Sequence, residues 1–380
     1  MSALVKDAPG GAGAEIVSPL LQACHADLPA NVTAVAFGAA ENTSCAMTLG
    51  DGSVVIGQIS LPMSGNLEDG GGPHGSSDKL QIATRVFPAH GVAAVAVCAL
   101  ADGFVSAGQD GRVFAFLPVG GASSEWQSRE LFHTEGEWIE ALATHAKQGL
   151  VACAYADTVA ILSSDGALIS KTKLDHTITG ITFDAAGNRV AVSHYNGVSL
   201  LQVDGKGKPT SLYWKGAHMA LSWSPDDRYV VTGTQDRELH AWDLVTMQDF
   251  RMGGYPRKVQ SFAWVGGKEI LACGGADVVT AWSFAGAGPG RKPPLEIGFV
   301  FGGTVTAVAS HPTQPYVACG FSAGNVQIGA TGKGEALVAQ TSNGSPITGL
   351  AWSCNGNLLV ATDNVGRVSA FVLPETLGIK

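Results

Sequence analysis

Ten histidines and seven cysteines are the residues of this 380-residue chain best suited to metal or nucleophile chemistry. They include His74, His90, His133, His176, His194, His218 and His311, and no HxH or HExxH brings two together at a zinc-binding spacing. Most fall at turns between apolar runs. The cysteines show no CxxC pair, and Cys153, Cys273 and Cys319 sit inside the apolar runs LVACAYA, ILACGGA and YVACGFS. That placement predicts buried, reduced thiols and a cytoplasmic chain. The Gly-rich stretch AGAGPGR (285–291) has no Lys-Ser/Thr after it, so it reads as a surface loop and not a phosphate cradle. No GxSxG elbow occurs. Asp51-Gly52, Asp110-Gly111 and Asp165-Gly166 read as hairpin turns and not as catalytic acids. The expectation is therefore no catalytic, cofactor or metal residue. The chemistry left is recognition.

Composition narrows the class further. Residues are 46% hydrophobic and only 14% charged, with 50 glycines. This suits many short strands joined by many turns. The net charge of -9 comes without any Lys/Arg cluster, which argues against a nucleic-acid partner. No apolar run approaches the ~20 residues of a membrane span, and the N-terminus carries no apolar segment of signal-peptide length. No membrane partner is expected, and the chain reads as a monomer.

The elements that would carry a recognition surface come from a repeat. In GAHMALSWSPDDRYVVTGTQDRELHAWDLV, an apolar strand ends at Trp223, a turn follows, then a strand YVVTG, a turn TQDR and a strand ending at Trp242-Asp243. The same plan recurs with Trp264 and Trp282, with Trp352 and Phe371, and with Phe183. Nine positions separate the end of the first strand from a fixed point in the second: Trp223 to Thr232, Trp264 to Cys273, Trp352 to Ala361 and Phe183 to Val192. Val97 to Ser106, Thr144 to Cys153 and Ser310 to Cys319 fit as well, and a first copy around Phe37 fits with slippage. Eight units result, with a fourth strand such as LQIATRVF or QSRELFH between successive units. One such sheet cannot bury both faces. Stacking the sheets radially does, and closing the ring protects their edges. The expected fold is all-β: a single β-propeller of eight four-stranded antiparallel blades, with seven blades as the alternative. No fourth strand follows RVSAFVL, so the N-terminal segment at Glu15–Leu21 is expected to complete the last blade.

The period of roughly 40–47 residues, four strands per unit and the Trp-Asp pair resemble the WD40-repeat β-propeller family. The resemblance covers about residues 15–374, with 1–14 and 375–380 read as tails and 60–79 as a flexible loop. It implies a structural hydrogen-bond set of Asp, His, hydroxyl and Trp. Thr232, Asp236 and Trp242 match it, with no Gly-His before their first strand. Asp110, Ser106 and His90 match it in the second unit, where Phe116 stands for the Trp. Trp282 is the equivalent structural aromatic of another copy. The resemblance also implies a non-enzymatic scaffold that binds protein or peptide partners. The alternative is a propeller hydrolase or lactonase with its site in the central channel.

One propeller face carries the turns that precede the first strands and those between the second and third. On it the sequence places Trp138, His176, Tyr195, Tyr255 and Arg257, expected as exposed aromatics among charges and hence as an interaction surface.

Overall fold

In the computed structural model, residues 21–40, 43–61, 79–120, 125–290, 293–298, 303–331, 336–374 and 377 are described. The expected tails at 1–14 and 375–380 lie outside them, Leu377 excepted, as does nearly all of the expected loop 60–79. The described chain is all-β apart from two short 3-10 turns.

The first strands of the units are Val32–Phe37, Ala94–Leu100, Ala141–His145, Ile178–Phe183, the second half of Thr210–Trp223, Phe262–Trp264, Val305–Ser310 and Ile347–Trp352. They pack side by side around a ring, with Val32–Phe37 against both Ala94–Leu100 and Ile347–Trp352. The second strands are the driest part. Ser44–Leu49, Gly103–Gly108, Leu150–Tyr155, Tyr229–Thr234 and Leu358–Asp363 are buried at every position. Alanine, glycine, serine, threonine and cysteine recur there because sheets from both neighbours press on them, and close packing leaves no room for bulk.

The nine-residue spacing has a geometric origin. The residue ending the first strand, or in the third unit the one before its end, pairs directly with the residue seven further on. Thr144 faces Val151, Phe183 faces Val190, Trp223 faces Val230, Trp264 faces Leu271, Ser310 faces Val317 and Trp352 faces Leu359. One constant turn therefore fixes the register of six units. The second unit differs: its strand runs on to Leu100, and Val97 itself faces Ser106.

The strands form seven hydrogen-bonded sheets, six of four strands and one of six, so the seven-sheet alternative is matched and the expectation of eight separate blades is corrected. Two of the eight sequence units share the six-stranded sheet. There Arg189–Gln202 doubles back, its ends joined by Val203 N–H to Asn188 O at 3.0 Å. Thr210–Trp223 runs without a break from the outer position of one unit into the first position of the next. Only Lys215 and Gly216 separate the two halves, too little to form a loop, and Tyr195 pairs with Ala217 across the join.

An N-terminal strand closes the ring. Gln22–Asp27 pairs antiparallel with Arg367–Val372, Gln22 facing Val372 and Asp27 facing Arg367. The expected strand at Glu15–Leu21 lies, but for Leu21, outside the described residues. The closing strand starts one residue beyond it.

Candidate interaction face

Three repeated tryptophans tie unit to unit. Trp223 donates its indole N–H to Thr182 O at 3.3 Å, Trp264 to Ser222 Oγ at 3.0 Å and Trp352 to Ala309 O at 3.1 Å. Each acceptor stands one residue before the equivalent strand end of the preceding unit. Threonines near the strand starts do the same on the other side: Thr33 donates to Ala94 O at 2.6 Å and Thr306 to Ile347 O at 2.7 Å. These bonds tie neighbouring units together at both ends of their first strands.

The polar set implied by the resemblance is present in altered form. In the second unit His90 Nδ1 lies 2.9 Å from Asp110 Oδ1 and Nε2 lies 2.8 Å from Ser106 Oγ. Burial outweighs the Asp110 carboxylate and lowers the His90 pKa. The ring packs edge-on against Phe114 at 5.2 Å, and Phe116, read as the Trp substitute, packs on Phe87 instead. In the unit of Trp242 the histidine comes from the strand itself. His218 Nδ1 is 2.7 Å from Thr232 Oγ1, and Nε2 is 2.9 Å from Trp214 O. A carbonyl only accepts, so Nε2 carries the proton and Thr232 donates to Nδ1. The Trp242 ring lies 5.5 Å from His218 and 4.6 Å from His240, which stacks on Trp214 at 4.1 Å. Asp236 was expected beside Trp242, yet it is exposed and makes no hydrogen bond among the described residues. The Asp of the Trp-Asp pair has the role that sequence reading missed. Asp243 accepts from Arg228 Nη2 at 2.8 Å and Nε at 3.2 Å. Burial alone would raise its carboxyl, but the Arg228 fork and the N–H groups of Val245 and Thr246 hold it down to about 2. The signal was the Arg closing the turn SPDDR.

Four of the five expected interaction residues are exposed. Trp138 is 58% accessible although its neighbour Ile139 is anchored in the core at 1%. Its loop is pinned from below: Thr134 N–H donates to Gly111 O at 2.9 Å and Ile139 N–H to Gly108 O at 3.3 Å. Gly111 has φ +74, and a Cβ there would strike the carbonyls of Thr134 and Glu137. Tyr195 is 57% accessible at a hairpin tip where Asn196 takes φ 69. His194 holds that tip: Nδ1 is 2.7 Å from Tyr195 O and Nε2 is 2.9 Å from Ser199 Oγ. The exposed His176 ring sits 5.1 Å from His194. Arg257 is exposed on the loop entering Phe262–Trp264.

Tyr255 is the correction. It is 7% accessible, its hydroxyl lies 2.7 Å from Thr280 Oγ1, and it accepts the Trp282 indole N–H at 2.7 Å. A phenol with a donor and an acceptor inside the fold loses little by burial, so Tyr255 and Trp282 form a structural pair. The four exposed residues do not share one pocket. His176 lines one beside Lys173, Lys208 and Tyr213, and Arg257 lines another. Among the described residues no group of three or more His, Cys, Asp or Glu converges as metal ligands would.

The chain is a β-propeller. The family described as WD40: WD domain, G-beta repeat matches residues 214–243. The cell division cycle 20.1 protein of Arabidopsis thaliana, a cofactor of APC complex, is 35% identical over 65 residues, which cover 17% of this chain and 14% of that protein. WD repeat-containing protein 90 of Mus musculus is 28% identical over 174 residues, or 42% of this chain and 9% of that one. The C-terminal WD40 domain of Sif2 superposes with a TM-score of 0.69 at 12% identity, covering 95% of this chain and 99% of that one. The computationally designed Ika8 protein gives 0.67 at 20% identity, covering 91% and 98%. Together these findings support a WD40-repeat β-propeller, a family whose members in general serve as protein-interaction scaffolds.

Proposed function

We propose that this protein is a non-enzymatic scaffold that binds a protein or peptide partner over the face bearing Trp138, His176, Tyr195 and Arg257. The observation that carries the reading is that Trp138 and Tyr195 stay exposed on loops that hydrogen bonds hold rigid. A rigid exposed aromatic gives contact area at little entropic cost, and each buried side chain of that size supplies about 1.5–3 kcal/mol. The seven cysteines are all unpaired, which fits a reducing compartment such as the cytoplasm. The chain is read as a monomer with no nucleic-acid partner. No helix among the described residues is long and apolar enough to cross a membrane. The test is tagged purification from the source cell, comparing the wild type with Trp138→Ala/Tyr195→Ala. A stoichiometric partner held by the wild type and lost by the variant supports the proposal. Equal recovery by both overturns it.

A further inference from the structure

A cavity of ≈ 470 Å³ opens on the same face, among the turn after Tyr229–Thr234 and the loops entering Phe262–Trp264 and Val305–Ser310. Arg237, Arg257 and Lys258 line it together with Gln260, Ser261 and Thr304, and no Asp or Glu is among its described lining residues. Three basic residues lining one space are notable in a chain of net charge -9. Neighbouring arginines are already engaged: Arg228 holds Asp243, and Arg251 is forked on Glu238. Among the described residues the side chains of Arg257 and Lys258 have no ion-pair partner.

The backbone under these cations is fixed. Arg257 N–H donates to Gly275 O at 3.1 Å, and Gly275 N–H to Val305 O at 3.0 Å. Gly275 has φ +88, and a Cβ there would press on Lys258 O at 3.0 Å and Arg257 O at 3.3 Å. Arg237 takes φ 62, a backbone region that disfavours any residue with a Cβ. One of its N–H groups donates to Pro256 O at 3.4 Å, leaving the rest of its fork free to bind. An anion entering among these basic side chains gains charge-assisted hydrogen bonds.

We propose that this cavity binds the side-chain carboxylates of an acidic segment in a partner protein. Two guanidinium forks match carboxylate geometry, the ammonium adds a point charge, and the Gln260 amide and the hydroxyls can complete the shell. The space exceeds one carboxylate and opens onto the face of Trp138 and Tyr195, which favours a peptide over a free small anion. The proposal rests on the interaction reading above.

The experiment is fluorescence anisotropy of a labelled Asp/Glu peptide with the full chain, beside a matched Asn/Gln peptide and an Asn/Gln peptide bearing one phosphoserine. The expected result is binding of the acidic peptide alone, weakened roughly tenfold or more by Arg257→Glu/Lys258→Glu and by raised salt, with an unchanged melting temperature. Where the reversal melts early, Arg257→Gln is read in its place. Equal affinity for the charge-reversed protein overturns the site. Binding of the phosphoserine peptide alone overturns the carboxylate assignment. Partner capture in the source cell, measured in parallel, separates the two ideas. A captured partner without acidic-peptide binding overturns the cavity proposal only, and no captured partner overturns the reading beneath it.

Discussion

His218 Nδ1 and Thr232 Oγ1 stand 2.7 Å apart with both side chains closed off from solvent. The bond joins the end of one outer strand, through Trp214 O, to the driest strand of the next unit. Thr232→Val keeps the shape and leaves a buried ring nitrogen unpaired, so it should cost about 1–3 kcal/mol. Asp236→Asn should change stability by less than about 0.5 kcal/mol, because Asp236 makes no bond here. Urea melts of both variants check the pair.

Trp242→Ala removes a large ring that is 5% accessible and packed on two histidines. The expected loss is ~3–5 kcal/mol. Trp352→Phe keeps most of the packing and deletes only the N–H bond to Ala309 O. It should cost about 1 kcal/mol. A calorimetric scan that ranks them the other way would contradict the packing account.

Deleting residues 1–27 removes the strand that faces Arg367–Val372 and leaves that strand as an open edge. The melting temperature should fall, and the protein should associate at high concentration. Size-exclusion elution beside a thermal melt reads both. An unchanged melt and elution would show that the ring does not depend on this closure.

Two pH windows should separate. Burial holds the His240 pKa down to about 4, against an ordinary 6.5; Nε2 lies 3.1 Å from Asp249 Oδ2 but makes no well-directed hydrogen bond. The unfolded chain takes up this proton first as pH falls. The associated stability is therefore full above 6.5 and is lost between 6.5 and about 4, by up to about 3 kcal/mol. Asp243, held at about 2 against 3.8, contributes stability that is full above 3.8 and is lost as pH falls through about 2. Chemical denaturation from pH 7.5 to 2 should show both limbs. His240→Gln should shallow the upper one only, and Asp243→Asn the lower one only.

Much of this was legible in the sequence because one hairpin turn recurs. Its constant length puts Trp223, Trp264 and Trp352 at one register position, and small residues mark the crowded second strands. Sheet number was less legible. Whether Thr210–Trp223 breaks depends on two linking residues, not on any periodic pattern. Exposure was legible for Trp138 and Tyr195 but not for Tyr255, whose burial depends on Thr280 and Trp282 arriving from another hairpin. The role of His218 was not legible for a similar reason: it depends on Thr232 and on Trp214 O being brought to its ring by strand pairing.

The most direct measurement of the central claim is the affinity of a recovered partner for the wild type and for Trp138→Ala/Tyr195→Ala, taken with the melting temperature of each. The account predicts affinity weakened by roughly a hundredfold or more, about 3 kcal/mol for two interface aromatics, with unchanged melting. Unchanged affinity in a variant that melts normally would contradict it.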